Sequence, residues 1–291
     1  MRPGTLQHRD LFCLTFAETH VAFEPADLPW PVLDETLLAR IRSFPFWNIA
    51  RSIEQRAGRM VGAFARTIDD PVIAAAVALQ GVEETRHGRL MDHVCERYGI
   101  DAPVLPIPDA PATRDDFCEF GFGECRDSFI GFGAIAIARR LQLFPPALLA
   151  IFEQVLWEEA RHIVFFANWW GYEEARAGRG GWAQRTLAAL RYHTAAAVGT
   201  AKGAAEVPGG QLDLSGAAEL FDGVTPVTFL EAALAENHRH MRRFDRRLLR
   251  PRLVPVLATA ALVAIRLLPP RADAAARVDH AALALRARNA A

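Results

Sequence analysis

Glu83-Glu84-Thr85-Arg86-His87 and Glu158-Glu159-Ala160-Arg161-His162 spell one pattern, E-E-x-R-H, twice in a chain of 291 residues. Both copies lie in long stretches rich in Ala, Leu, Arg and Glu, with apolar residues recurring at three and four positions, the period of a helix. Positions three apart on a helix share a face, one turn up. Glu84 with His87, and Glu159 with His162, therefore each present a carboxylate oxygen and an imidazole nitrogen to one point. That is a chelating pair. A single E-x-x-H is common on surface helices, so the weight rests on the repetition.

The punctuation around the two motifs predicts four helices, over 46–68, 71–98, 114–140 and 146–174. Asp70 before Pro71 reads as an N-cap and a first helical position, and Phe144-Pro145-Pro146 opens a later helix in the same way. The first helix carries Glu54 in Ile53-Glu54-Gln55-Arg56, and the third carries Glu124 in Gly123-Glu124-Cys125-Arg126. Glu119, on the same helix, is the rival to Glu124. The order is E, E-x-x-H, E, E-x-x-H, so the first helix pair repeats as the second. Between them runs Gly99 to Arg114, with a Pro-rich Asp101 to Pro108. An extended segment of that length reaches roughly 40 Å, about as long as a 28-residue helix.

Hairpin, long crossover, hairpin is the connectivity of a ferritin-like four-helix bundle. The expected fold is all-α: that bundle over 45–176, an N-terminal extension over 1–44, and a C-terminal helical extension over 177–291 packed on the bundle. Helices are expected near 181–204, 226–249, 253–268 and 272–288, and a short one over 32–43. Four carboxylates and two histidines aimed into one core are costly unless cations neutralise them. Two divalent metals sharing bridging carboxylates would do so.

Over residues 46–172 this set resembles the ferritin-like di-iron carboxylate superfamily, which includes rubrerythrins, acyl-carrier-protein desaturases, multicomponent monooxygenases and aldehyde-deformylating oxygenases. The resemblance implies that Glu54, Glu84, His87, Glu124, Glu159 and His162 ligate two irons, with di-manganese or mixed manganese–iron also allowed by the ligand set. It implies that Glu83 orients His162 and Glu158 orients His87, with Arg86 and Arg161 supporting those acids. Met91 stands four residues after His87, where the radical-generating ribonucleotide reductase subunit has its tyrosine. Val155 stands four before Glu159, where arylamine N-oxygenases add a histidine. Ser128, four after Glu124, occupies the place of a monooxygenase threonine, although a helix serine commonly bonds its own backbone. Gly58, Met91, Ser128, Phe152, Val155 and Phe166 are the expected oxygen and substrate pocket, with core packing as the alternative reading for the glycine and the apolar residues.

Composition narrows the remaining classes. Acids number 34 and bases 33, with Lys202 the sole lysine, so no global field steers the chain toward nucleic acid. Cys13, Cys95, Cys118 and Cys125 form no C-x-x-C pair, which argues against a disulfide framework, a zinc knuckle or a rubredoxin module. No apolar run of signal-peptide length follows Met1, so the cytoplasm is the expected location. Arg242 to Arg252 holds six arginines against Asp245, and Leu253 to Ile265 is uncharged but too short to span a bilayer. That pair of features suits either a buried helix beside a basic turn or peripheral contact with an anionic membrane.

The function expected from these residues is an oxygen-activating di-iron oxidase or oxygenase acting on a small apolar organic substrate. Its electrons would come from a separate donor protein, since no flavin or iron–sulfur motif is present. A rubrerythrin-like peroxidase or ferroxidase without organic substrate, and a metal-stabilised scaffold that docks a partner or membrane, are the competing readings. A homodimer is compatible with all three.

Overall fold

The computed structural model describes residues 1–44, 47–103, 112–206 and 223–267, with the backbone alone over 200–206. Local chemistry sets the helix starts. Asp70 accepts from the Val72 and Ile73 amides at 3.0 and 3.2 Å, and Pro71 opens the helix behind it. Thr113 and Asp116 cap each other's backbone amides, a reciprocal capping box. Gly99 closes the helix that Pro71 opened, at a φ of 60° that only glycine adopts without strain.

Among the described residues the elements are α1 (Leu6–Glu18), α2 (Glu35–Arg42), α3 (Trp47–Ala65), α4 (Pro71–Tyr98), α5 (Arg114–Arg140), α6 (Pro146–Arg176), α7 (Trp182–Glu206), α8 (Pro226–Met241) and α9 (Leu253–Leu267). A single 3-10 turn spans Pro25–Asp27, and no strand occurs among them. The four helices expected to carry the motifs are α3 to α6. Residues 104–111 of the expected crossover, and the helix expected over 272–288, lie outside the described residues.

The strongest pairing is α3 against α4. It is tight because glycines remove side chains from the seam: a Cβ on Gly58 would stand 2.4 Å from Thr85 Oγ1, and one on Gly81 would stand 2.9 Å from the Gly62 amide nitrogen. The second pairing is α5 against α6, and α3 also touches α5 while α4 touches α6. Outside these four, α1 lies on α6 and α4, α7 and α8 lie on α5, and α9 lies on α8 and α5.

The apolar interior falls into two main clusters. One gathers Phe12 and Phe16 with Phe64, Phe117, Phe166 and Trp169; the other gathers Trp30, Trp47, Leu90, Val94, Leu148 and Ile151. Along α4 and α6 the buried residues of the two motifs fall between the stretches that feed these clusters: Glu83, Glu84, Arg86 and His87 on one helix, Glu158, Glu159, Arg161 and His162 on the other.

Two expectations are corrected. The helix expected over 226–249 ends at Met241. Residues 242–252 instead form a turn whose carbonyls are collected by Arg250, which donates to Met241 and Phe244 at 3.0 Å each. Asn168 of α6 clamps that turn, donating to the Leu249 carbonyl at 2.9 Å and accepting its amide at 2.8 Å. Residues 1–44 contain a second helix, α1, that the sequence reading omits. Its inward residues are His8, Phe12, Cys13 and Phe16, while Leu6 and Leu14 face solvent, so the residue pattern conceals the buried face. His8 meets Asn168 Oδ1 at 3.0 Å, so one asparagine ties α1 and the C-terminal turn to α6.

Candidate metal centre

Glu84 and His87 rise one turn apart from α4, and Glu159 and His162 from α6; Glu54 comes from α3 and Glu124 from α5. Ligand atoms of Glu54, Glu84, His87 and Glu159 all lie within 4.8 Å of one another, and so do those of Glu84, Glu124 and His162. The two imidazole rings stand 5.6 Å apart. Between them each inner carboxylate reaches both. Glu84 places Oε1 3.0 Å from His162 Nδ1 and Oε2 3.7 Å from His87 Nδ1. Glu159 mirrors this, with Oε1 3.0 Å from His87 Nδ1 and Oε2 3.6 Å from His162 Nδ1. Glu54 Oε2 lies 3.6 Å from His87 Nδ1.

The far nitrogen of each ring is bound by the opposite hairpin. Glu158 accepts from His87 Nε2, and Glu83 from His162 Nε2, both at 2.8 Å. Each acid is neutralised by the arginine that precedes the histidine it holds. Arg86 donates to Glu158 at 2.6 Å, and Arg161 to both oxygens of Glu83 at 2.7 and 2.9 Å. Glu83 and Glu158 are fully buried, as are both histidines.

With Nε2 donating, Nδ1 is the nitrogen left to face the carboxylates. Neither His87 Nδ1 nor His162 Nδ1 makes a hydrogen bond, although each has a glutamate oxygen at 3.0 Å, and Glu159 Oε2 is likewise orphaned. Buried polar atoms are seldom left in that condition. In the neutral imidazole a lone pair aimed at carboxylate oxygens is repulsive until a cation stands between them, so the residues fit divalent metal.

Protons supply the positive charge in the metal-free chain. Burial pulls both histidines down, but the surrounding carboxylates outweigh it and hold both well above the ordinary imidazole value. Burial, and then the charge of Glu159, push Glu124 well up. Burial also raises Glu54, against the pull of His87, to about 7. Burial would raise Glu159 and Glu84 too, but the histidine charges leave both lowered. Metal binding to such a site displaces protons.

The structure thus brings together all six expected ligands and places the four supporting residues against them. Glu119, the rival to Glu124, is exposed on the outside of α5. The expected pocket residues do not share one wall. Met91 and Val155 are buried in the cluster around Trp47, with Phe152 packed against it; Phe166 belongs to the other cluster, filling the space left by Gly121, and Gly58 faces Thr85 at the α3–α4 seam. Ser128 is buried, and its hydroxyl has no partner among the described residues. All four cysteines are buried free thiols, and burial pushes Cys13, Cys118 and Cys125 up to about 12.

Sequence reasoning missed the contribution of the N-terminal segment. His20 Nδ1 is hydrogen-bonded to Glu83 Oε1. The Thr19 hydroxyl and the Phe16 carbonyl accept from Arg161 at 2.9 and 2.5 Å, and the Phe23 ring lies 4.1 Å from the Arg86 guanidinium. On the other half Gln154 donates to Glu158 at 3.4 Å. No motif links residues 16–23 to acids more than 60 positions away, so only the fold reveals these partners. Compared with family models, curated proteins and solved structures, the chain matches none.

Proposed function

We propose that the protein is an oxygen-dependent non-haem di-iron oxidase or oxygenase on a ferritin-like bundle, acting on a small apolar organic substrate. The orphaned Nδ1 atoms of His87 and His162, each facing glutamate oxygens in a buried site, carry this reading. Glu54, Glu84, His87 and Glu159 would hold one iron; Glu84, Glu124 and His162 would hold the other, with Glu159 also within reach. When bound, iron supplies the redox chemistry for reducing dioxygen with electrons from a separate donor protein.

The chain's own residues prepare that site. Glu158 and Glu83 accept the Nε2 protons and so keep each Nδ1 lone pair on the metal side. Arg86 and Arg161 hold those acids in place with charge-assisted bonds. The two apolar clusters enclose the polar layer and limit water around it. Carboxylates and imidazoles accept manganese as well as iron, so the metal itself rests on the resemblance.

One observation favours a second reading. Met91, Phe152, Val155 and Phe166 are engaged in core packing, which suits a peroxidase or ferroxidase that needs no room for an organic substrate.

The deciding experiment is metal analysis after anaerobic ferrous loading, on wild type and on Glu84→Ala/Glu159→Ala. About two irons per chain, lost in the variant, is the expected result for a paired carboxylate site. Oxygen uptake that requires an organic substrate supports the oxygenase, whereas turnover of peroxide or ferrous iron alone supports the second reading. A wild-type chain that retains no metal overturns both.

A further inference from the structure

Helix α9 breaks the rule for surface helices. Of its fifteen residues, Leu253–Leu267, only Thr259 and Arg266 are polar. A helix apolar on every side is ordinarily buried. This one is buried along one stripe, where Val254, Ala258 and Leu262 face inward, and at its first residue, Leu253, which packs against the main core; Val254 and Ala258 pack with Phe129 of α5 and Ala233 of α8. Diametrically opposite, at positions 256, 260, 263 and 267, stand Val256, Ala260, Val263 and Leu267, all exposed. Val256 is 59% exposed, Val263 50% and Leu267 79%, with Leu257 beside them at 54%. No charged side chain interrupts that outer stripe.

The turn that feeds α9 supplies a net positive charge. Among its six arginines, Arg247 pairs with Asp245, Arg250 is bound to backbone carbonyls, and Arg243 lies 3.5 Å from the Trp157 ring. Arg242, Arg246 and Arg252 are exposed, and their guanidinium groups have no hydrogen-bond or ion-pair partner among the described residues. The nearby acids are already engaged, Asp245 by Arg247 and Glu231 by Arg266. A helix of this length measures about 22 Å, short of the roughly 30 Å hydrocarbon core, and no described helix is long and apolar enough to cross a membrane.

We propose that the outer face of α9 docks the protein on an anionic phospholipid bilayer, its apolar stripe entering the interface while Arg242, Arg246 and Arg252 meet lipid phosphates. The charge complementarity selects this occupant. A second copy of the chain would bring more arginine and the same acids, Asp245 and Glu231, already paired, whereas an anionic leaflet satisfies both the apolar stripe and the charge. The inference is independent of the metal centre.

Co-sedimentation of the full chain tests it, with vesicles of equal parts phosphatidylglycerol and phosphatidylcholine against vesicles of phosphatidylcholine alone. Wild type is expected to pellet with the anionic vesicles. Arg242→Gln/Arg246→Gln/Arg252→Gln is expected to weaken partitioning on the order of a hundredfold. Val256→Ser/Val263→Ser/Leu267→Ser, which leaves the charge and the buried stripe intact, is expected to weaken it as well, with an unchanged circular dichroism spectrum. Equal binding to both vesicle types, or anionic binding that survives both sets of substitutions, overturns the proposal. So does a chain that stays in the supernatant throughout. In that case dimers that the serine substitutions dissolve would assign the face to a second copy.

Discussion

Glu83 and Glu158 explain why an acid precedes the glutamate of each E-x-x-H pair. Each lies on the same helix as one E-x-x-H pair but serves the histidine of the other, so the two motifs are interlocked across the bundle. Removing the charge of Glu158 leaves Arg86 buried beside a neutral amide and loosens the bond that aims His87. Glu158→Gln is therefore expected to lower metal affinity by about 10–100-fold, read by competition with a chelator. Glu83→Gln should do the same from the other side. Unaltered affinity in both would mean that neither acid positions a ligand.

At the scale of elements, two glycines four residues apart on α3 have opposite uses. A Cβ on Gly58 would collide with Thr85 at its hydroxyl, amide nitrogen and Cα, at 2.4, 2.8 and 2.9 Å, whereas one on Gly62 meets nothing within 4 Å. Gly58→Ala is expected to cost about 1–3 kcal/mol by forcing α3 and α4 apart, read as a fall in the denaturation midpoint. Gly62→Ala is expected to stabilise by up to about 1 kcal/mol, the ordinary helix gain over glycine. Equal effects would remove the close seam as the reason for Gly58. The sequence shows both residues as the same interruption of a helix, and only the neighbour across the seam separates them.

On the scale of the whole molecule, the C-terminal elements couple stability to pH through His240. It lies in the last turn of α8, is 2% exposed and stacks on Phe132 of α5 at 4.5 Å. Burial, then Arg239, lower its pKa from 6.5 to about 4, so the folded chain holds it neutral. The unfolded chain takes up a proton first as pH falls. Its contribution is therefore intact above about pH 6.5 and is lost as pH drops toward 4, by roughly 3 kcal/mol. The difference in unfolding free energy between wild type and His240→Gln is expected to fall across that window, because other titrating groups cancel in the comparison. A difference independent of pH would place the neutral imidazole in doubt.

Helix content, the four motif-bearing helices and the six residues whose carboxylates and imidazoles converge were legible in the sequence. Asp70-Pro71 and Pro145-Pro146 act through their own backbone, and Glu84 with His87 or Glu159 with His162 share a face through helix periodicity alone. Such local chemistry needs no knowledge of what lies across the core. Adding His20 and Thr19 to the acid–arginine pairs, and ending α8 at Met241, depended on partners far away in the chain. Those contacts belong to no pattern of spacing. The tertiary structure decided them because burial and orientation are properties of the packed neighbours, and a linear sequence does not say which neighbours meet.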